Sequence, residues 1–187
     1  MFHLTDQLRL ARLDEGVIRL TTELDDLSVS EFLDEFAYVL AQPRVERITL
    51  EIMCPGGECY AAFAAYDTIL ASPKPVMGVV LGYAASIAAM LILQACGPRV
   101  AYPSARFLIH EIQEVRFGIS KLSSTEDNAR ELGVVQDKII DVLAWRTEKS
   151  REAIKLAIER RECWLSAKEA LEFGLIDSIL SGSADIH

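Results

Sequence analysis

Gly82-Tyr83-Ala84-Ala85-Ser86-Ile87-Ala88-Ala89-Met90 places one serine at the seam between an apolar strand, Val76 to Leu81, and an apolar helix, Ser86 to Cys96. Small residues crowd both sides of that serine, so another backbone can approach its hydroxyl closely. The positive end of a helix dipole favours nearby negative charge, which suits a serine that must carry an oxyanion intermediate. Serine is equally at home as a helix N-cap. The segment alone leaves both readings open.

Strand and helix signals alternate outward from this seam. Upstream, Val17 to Leu20 reads as a strand and Ser28 to Gln42 as a helix. Arg47 to Met53 alternates like a strand and runs into the turn Pro55-Gly56-Gly57, after which Glu58 to Ala71 is helical. Pro73 and Pro75 stop that helix before the next strand. Downstream come short strands near Arg99 to Ala101 and Phe107 to Ile109, then a long amphipathic helix over Ser124 to Thr147. A helix from Arg151 to about Arg160, a short helix from Ser166 and the run Leu175 to Leu180 complete the chain. Repeated β-α-β units predict an α/β fold with a parallel sheet flanked by helices. The long helix exceeds a simple crossover and is expected to project from the body onto a partner. Without internal repeats, low-complexity segments or Pro/Gly/Ser-rich linkers, residues 1–187 read as one domain.

Bulk properties narrow the function. The chain has 187 residues, 51% hydrophobic and 25% charged, with a net charge of −9. That sign argues against nucleic acid, whose phosphates reward Lys and Arg. The apolar lean suggests either surface covered by other subunits or a large core, which explains it as cheaply. The start Met1-Phe2-His3-Leu4-Thr5-Asp6 lacks the basic and apolar regions of a signal peptide. Val76 to Cys96 is the most apolar region, but Gly82 and Ser86 mark a strand-to-helix seam there, so a buried pair of elements is expected rather than a membrane span. Cys54, Cys59, Cys96 and Cys163 are expected to be reduced and packed as small hydrophobes. A Cys54/Cys59 metal pair lacks a second pair and a nearby histidine, so neither metal nor cofactor is expected. A cytoplasmic acidic enzyme is the plain interpretation.

Serine needs an adjacent base, and histidine is the usual one. His3 and His187 lie at the ends, and only His110, closing the apolar run Phe107-Leu108-Ile109, is internal. The competing reading is a strand-edge histidine satisfied by a main-chain carbonyl. Pro55-Gly56-Gly57 offers main-chain N–H donors for an oxyanion, with the N–H of Ile87 as the natural second donor. The turn is no nucleotide phosphate loop, because the Lys-Ser/Thr pair is missing.

With these residues in view, the chain resembles the proteolytic subunit of the ATP-dependent Clp protease, from about Leu10 to Leu180. The resemblance rests on Pro55-Gly56-Gly57, Tyr66-Asp67-Thr68, Gly82 to Met90, Ile109-His110 and Leu165-Ser166-Ala167-Lys168-Glu169-Ala170. The run Phe173-Gly174-Leu175-Ile176-Asp177-Ser178-Ile179-Leu180 follows in the same order. It implies a Clp protease/crotonase-like fold with a handle over about residues 111–147. It implies Ser86 as nucleophile, His110 as general base and the N–H groups of Gly57 and Ile87 as the oxyanion hole. Gly56, Glu111 and Ile112 would contact a peptide bound as an added strand. Also implied are two stacked seven-membered rings of this chain and a separate AAA+ unfoldase.

Three departures bear on those implications. The family's third triad member is an aspartate shortly before the Leu-Ser-Ala motif, whereas Ile158-Glu159-Arg160-Arg161-Glu162-Cys163-Trp164-Leu165 has none. Anchoring on Leu165-Ser166-Ala167 puts Glu162 at the acid position, and anchoring upstream puts Arg161 there. Glu162 reads otherwise as a helix-end charge paired with Arg160 or Arg161, and Asp177 belongs to the C-terminal run. After His110 the family has Gln-Pro and a glycine pair; here Glu111-Ile112-Gln113-Glu114-Val115-Arg116-Phe117-Gly118 keeps β propensity at Ile112, Val115 and Phe117. Residues 1–10 form a short N-terminal segment whose apolar candidates are Leu4, Leu8 and Leu10, and Met53-Cys54 replaces the family's Asn-Ser. The alternative functions are a structural paralogue that assembles with an active subunit and a crotonase-like acyl-CoA hydratase or isomerase.

Overall fold

The computed structural model describes residues 3–112, 124–159 and 162–180. Its sheet is organised around β3 (Val76–Ala85), with β2 (Ile48–Cys54) and then β1 (Val17–Leu20) on one side. On the other side lie β4 (Arg99–Ala101) and β7 (Ser178–Ile179), and every neighbour along this path is parallel. In β2 the alternate residues Ile48, Leu50, Ile52 and Cys54 are wholly buried, the period-two pattern of a strand with one face in the core.

β3 forks the sheet. Its Gly78–Val80 stretch pairs with β4, whereas Tyr83–Ala85 pairs in parallel with β5 (Arg106–Ile109). Between these stretches the register with β2 jumps from Ile52↔Val80 to Cys54↔Ala84, a bulge that holds Gly82. The strand therefore runs four residues beyond the expected Leu81. The small, buried Ala84 and Ala85 let β5 lie close. β5 pairs antiparallel with β6 (Cys163–Ser166), in the register Ile109↔Cys163.

Helices cover the sheet: α1 (Leu4–Asp14), α2 (Asp26–Leu40) and α3 (Cys59–Leu70). The segment after Ser86 opens as a π-helical turn, Ala88–Ile92, and narrows into α4 (Leu93–Ala95). All five residues of that turn are buried, and the Gln94 amide donates to the Ala89 carbonyl at 2.8 Å. α5 (Ser124–Thr147) has the expected bounds and packs Val135, Ile139, Ile140 and Leu143 inward, while Val134 and Trp145 face outward. α6 (Arg151–Ile158) and α7 (Ala167–Phe173) follow.

Two elements depart from expectation. The first ten residues are not merely a lead-in, since α1 begins at Leu4; it exposes Leu4, Leu8 and Leu10 and buries only Leu13. Cys163–Ser166 is a strand, although its four residues carry no clean alternation. The stretch Gln113 to Gly118 lies outside the described residues, as do Arg160, Arg161 and His187. No helix among the described residues is long and apolar enough to cross a membrane.

Candidate active site

Ser86 stands between β3 and the π-helical turn with φ 54°, a left-handed conformation that a non-glycine residue seldom adopts. Three main-chain bonds hold it there. Its N–H donates to the Leu108 carbonyl at 2.9 Å, and its own carbonyl accepts from Ala89 and Met90 at 3.0 and 2.9 Å. The first bond ties Ser86 to β5 two residues before His110, so the two side chains share one rigid frame. The hydroxyl does not cap the helix. It lies 2.8 Å from His110 Nε2, the distance for donating its proton to that nitrogen.

The other ring nitrogen, Nδ1, lies 2.6 Å from the Glu111 carbonyl oxygen. A carbonyl can only accept, so Nδ1 carries the proton and Nε2 turns its lone pair on Ser86. His110 thus makes the contacts of both sequence readings, one ring nitrogen facing the serine and the other held by a main-chain carbonyl. The Glu111 N–H donates to Ile158 O at 3.2 Å, and the Ile112 N–H donates to Gln136 Oε1 at 2.9 Å.

The Pro55-Gly56-Gly57 turn packs directly on Ser86 and its neighbours Ala85 and Ile87. A Cβ at Gly56, where φ is +98°, would fall 2.8 Å from Ser86 Cβ and 3.2 Å from the Ile87 nitrogen. Only glycine permits that approach. The turn is clamped from below: Leu24 N–H donates to Gly56 O at 2.8 Å, and Glu58 N–H donates to Leu24 O at 2.7 Å. The Cys54 thiol donates to Thr22 O at 3.0 Å and receives the Gly56 N–H at 3.4 Å. Burial pushes this thiol up to about 11, so it stays protonated and able to donate at neutral pH. Among the described residues, neither the Gly57 N–H nor the Ile87 N–H makes a hydrogen bond within the protein. Both remain available to an incoming oxygen. The Ile87 N–H is one of the orphan donors at a helix start.

Glu162 is not brought to the ring. It is exposed just before β6 and makes no hydrogen bond to His110 among the described residues. Continuing the β5–β6 register by one step would set it opposite His110, but the ladder ends at Ile109↔Cys163. Asp177 is engaged elsewhere, by both the main chain and the guanidinium of Arg99. Among the substrate-contact candidates, Gly56 is buried under the turn, Glu111 is exposed and Ile112 is half-buried. Sequence reasoning missed the Glu111 carbonyl and the Cys54 clamp. A main-chain acceptor leaves no mark in residue types, whereas Met53-Cys54 replacing Asn-Ser was a visible signal of altered support. Cys54 and Cys59 are separately buried, free thiols. No group of three or more His, Cys, Asp or Glu among the described residues is placed to hold a metal ion.

A forked, mostly parallel sheet that brings Ser86 and His110 to hydrogen-bond distance beside the open N–H groups of Gly57 and Ile87 defines the class, an α/β protein with its candidate site at the fork. The family model for Clp protease matches residues 5–183, and the chain belongs to that family. It is 35% identical over 187 residues to the ATP-dependent Clp protease proteolytic subunit 1 of Chlamydia muridarum, covering 100% of this chain and 97% of that one. Against the corresponding subunit 1 of Protochlamydia amoebophila the identity is 33%, covering 98% and 89% of the two chains. Against subunit 3 of Streptomyces coelicolor it is 30% over 183 residues, covering 97% and 83%.

Proposed function

We propose that this chain is a serine endopeptidase, the proteolytic subunit of a self-compartmentalised Clp-type protease that cleaves peptides and unfolded proteins. The observation that supports it most is the 2.8 Å contact between Ser86 Oγ and His110 Nε2, with Nδ1 held by a carbonyl. Ser86 attacks the scissile carbonyl while His110 takes its proton. The N–H groups of Gly57 and Ile87 receive the developing oxyanion. His110 returns the proton to the leaving amine, and water releases the acyl-enzyme by the same relay. The peptide lies as an extended strand beside Gly56, Glu111 and Ile112, whose N–H groups at 111 and 112 are already bonded within the protein. The neutral Glu111 carbonyl orients the ring without the ionic stabilisation of imidazolium that a carboxylate supplies. The relatives' names, ATP-dependent and proteolytic subunit, support an ATP-driven partner of the AAA+ unfoldase class, and the reading extends to stacked heptameric rings of this chain in a cytoplasmic setting.

A second reading, an assembling subunit that does not cleave, draws on Nδ1 meeting a main-chain carbonyl and no carboxylate among the described residues. One experiment separates the two. A fluorophosphonate probe applied to the assembled protein is expected to label Ser86, and Ser86→Ala is expected to abolish both labelling and hydrolysis of a short fluorogenic peptide. An assembled wild-type protein that neither labels nor cleaves would establish the non-cleaving subunit instead.

A further inference from the structure

The carbonyl that holds His110 is itself held. The C=O of Glu111 and the N–H of Ile112 belong to one planar peptide group, so whatever fixes one end aims the other. At one end the carbonyl accepts from His110 Nδ1 at 2.6 Å; at the other the N–H donates to Gln136 Oε1 at 2.9 Å. Gln136 stands on α5, half-buried beside the inward-facing Val135, Ile139 and Ile140 that seat this part of the helix on the body. We infer that Gln136 is a positioning residue for the base: through the 111–112 peptide it directs the Glu111 carbonyl onto Nδ1 and so keeps the Nε2 lone pair on Ser86. The inference rests on the serine-peptidase reading for its kinetic consequences, but its geometric content stands apart from them.

Three physical reasons give this side chain its weight. A neutral carbonyl has no charge to hold the imidazole from a range of directions, so its aim matters more than a carboxylate's would. An N–H that donates at one end of a peptide polarises the C=O at the other and makes it a better acceptor. The peptide also has room to turn, because a cleft of about 320 Å³ lies beside it, bordered by Glu111, Gln136, Ile140 and Ile158. With Gln136 gone, the Ile112 N–H loses its partner and the peptide can rotate toward that cleft. The tie from the Glu111 N–H to Ile158 O acts on the preceding peptide, so the bond to Gln136 is the one made by the 111–112 N–H itself.

The test compares Gln136→Leu, which removes the acceptor at similar size, with Gln136→Glu, which keeps an oxygen at the same reach. For Gln136→Leu, kcat on a short fluorogenic peptide and the rate of fluorophosphonate labelling are expected to fall together by about tenfold, with KM little changed and the assembly intact by size exclusion. Gln136→Glu is expected to restore most of that loss. Nitrogen NMR of histidine-labelled protein reads the tautomer directly. The wild type is expected to carry its neutral proton on Nδ1 of His110, and Gln136→Leu to shift it toward Nε2. An unchanged tautomer in Gln136→Leu, a wild-type labelling rate, or equal losses in both variants would overturn the inference. If the wild type neither labels nor cleaves, the peptidase reading fails by itself and the tautomer still decides the role of Gln136. Should Gln136→Leu fail to assemble, Gln136→Met carries the same measurements.

Discussion

At φ 54° Ser86 costs of order 1–3 kcal/mol of backbone strain, and its neighbours supply the restraint that keeps it there. The strain swings the hydroxyl away from the helix end that it would otherwise cap and toward His110. Small residues were the visible sign: Ala84, Ala85, Ala88 and Ala89 leave room for a tight turn, and Gly56 leaves room for the turn that packs on it. That packing is testable. In Gly56→Ala the new methyl would lie 2.8 Å from both Ser86 Cβ and the Ala85 oxygen, at a φ of +98° that alanine resists. Since the Cβ meets backbone, the turn rather than its neighbour must move. Fluorophosphonate labelling of the assembled variant is expected to slow at least about tenfold, as a displaced donor weakens oxyanion stabilisation. Labelling at the wild-type rate would remove the Pro55-Gly56-Gly57 turn from the site.

Among the elements, the long ones were legible and the short ones were not. α5 spans the residues its amphipathic pattern predicted, because buried Val135, Ile139, Ile140 and Leu143 recur at helical spacing. α1 went unseen because it packs so little: Leu4, Leu8 and Leu10 face outward and only Leu13 is buried. β6 is only four residues long, and it owes its shape to pairing with β5 rather than to its own pattern. Overlooking that strand has a functional consequence. Anchoring on Leu165-Ser166-Ala167 set Glu162 at the acid position with nothing to fix its direction; as the residue before a strand, it stands past the last rung of the ladder. Its side chain is exposed, and the position it was expected to fill at Nδ1 is taken by a carbonyl. Glu162→Gln is therefore expected to change kcat/KM on a fluorogenic peptide by less than about threefold, whereas loss of a triad carboxylate costs orders of magnitude. A loss of tenfold or more would return the carboxylate to the base and mean that the ring changes partner during turnover.

Over the whole molecule, alternation of strand and helix made a parallel α/β sheet legible. The fork in β3 was not, because it depends on which strand comes to lie beside each half of β3. The same holds for the polar knot that closes the far side of the sheet. Arg99, almost fully buried, donates to Gln94 Oε1 at 2.6 Å and to Gly174 O at 3.0 Å, and its remaining nitrogens meet Asp177. Arg146 at the end of α5 donates to Cys96 O at 2.6 Å, so the long helix, β4 and the C-terminal turn meet in one place. Burial alone would push the Asp177 carboxyl up, but the hydrogen bonds from the Arg99 side chain and main chain outweigh it and hold it below the usual aspartate range. A carboxyl lowered in the folded state binds its proton more readily when unfolded. Its contribution is therefore complete above the ordinary aspartate value near ~4 and fades as pH falls through the depressed one. Asp177→Asn leaves a buried guanidinium short of its charge partner. Because the Asp177 side chain is 41% exposed, the cost should fall below that of breaking a fully buried pair, at about 1–2 kcal/mol near pH 7. Urea unfolding at several pH values should show the gap between wild type and Asp177→Asn widest above about pH 5 and narrowing toward about pH 3. Other lowered carboxyls, such as Asp25 and Glu169, are common to both proteins and cancel in that difference. A gap that stays constant across this range would mean that Asp177 holds the knot by shape and hydrogen bonding rather than by its charge.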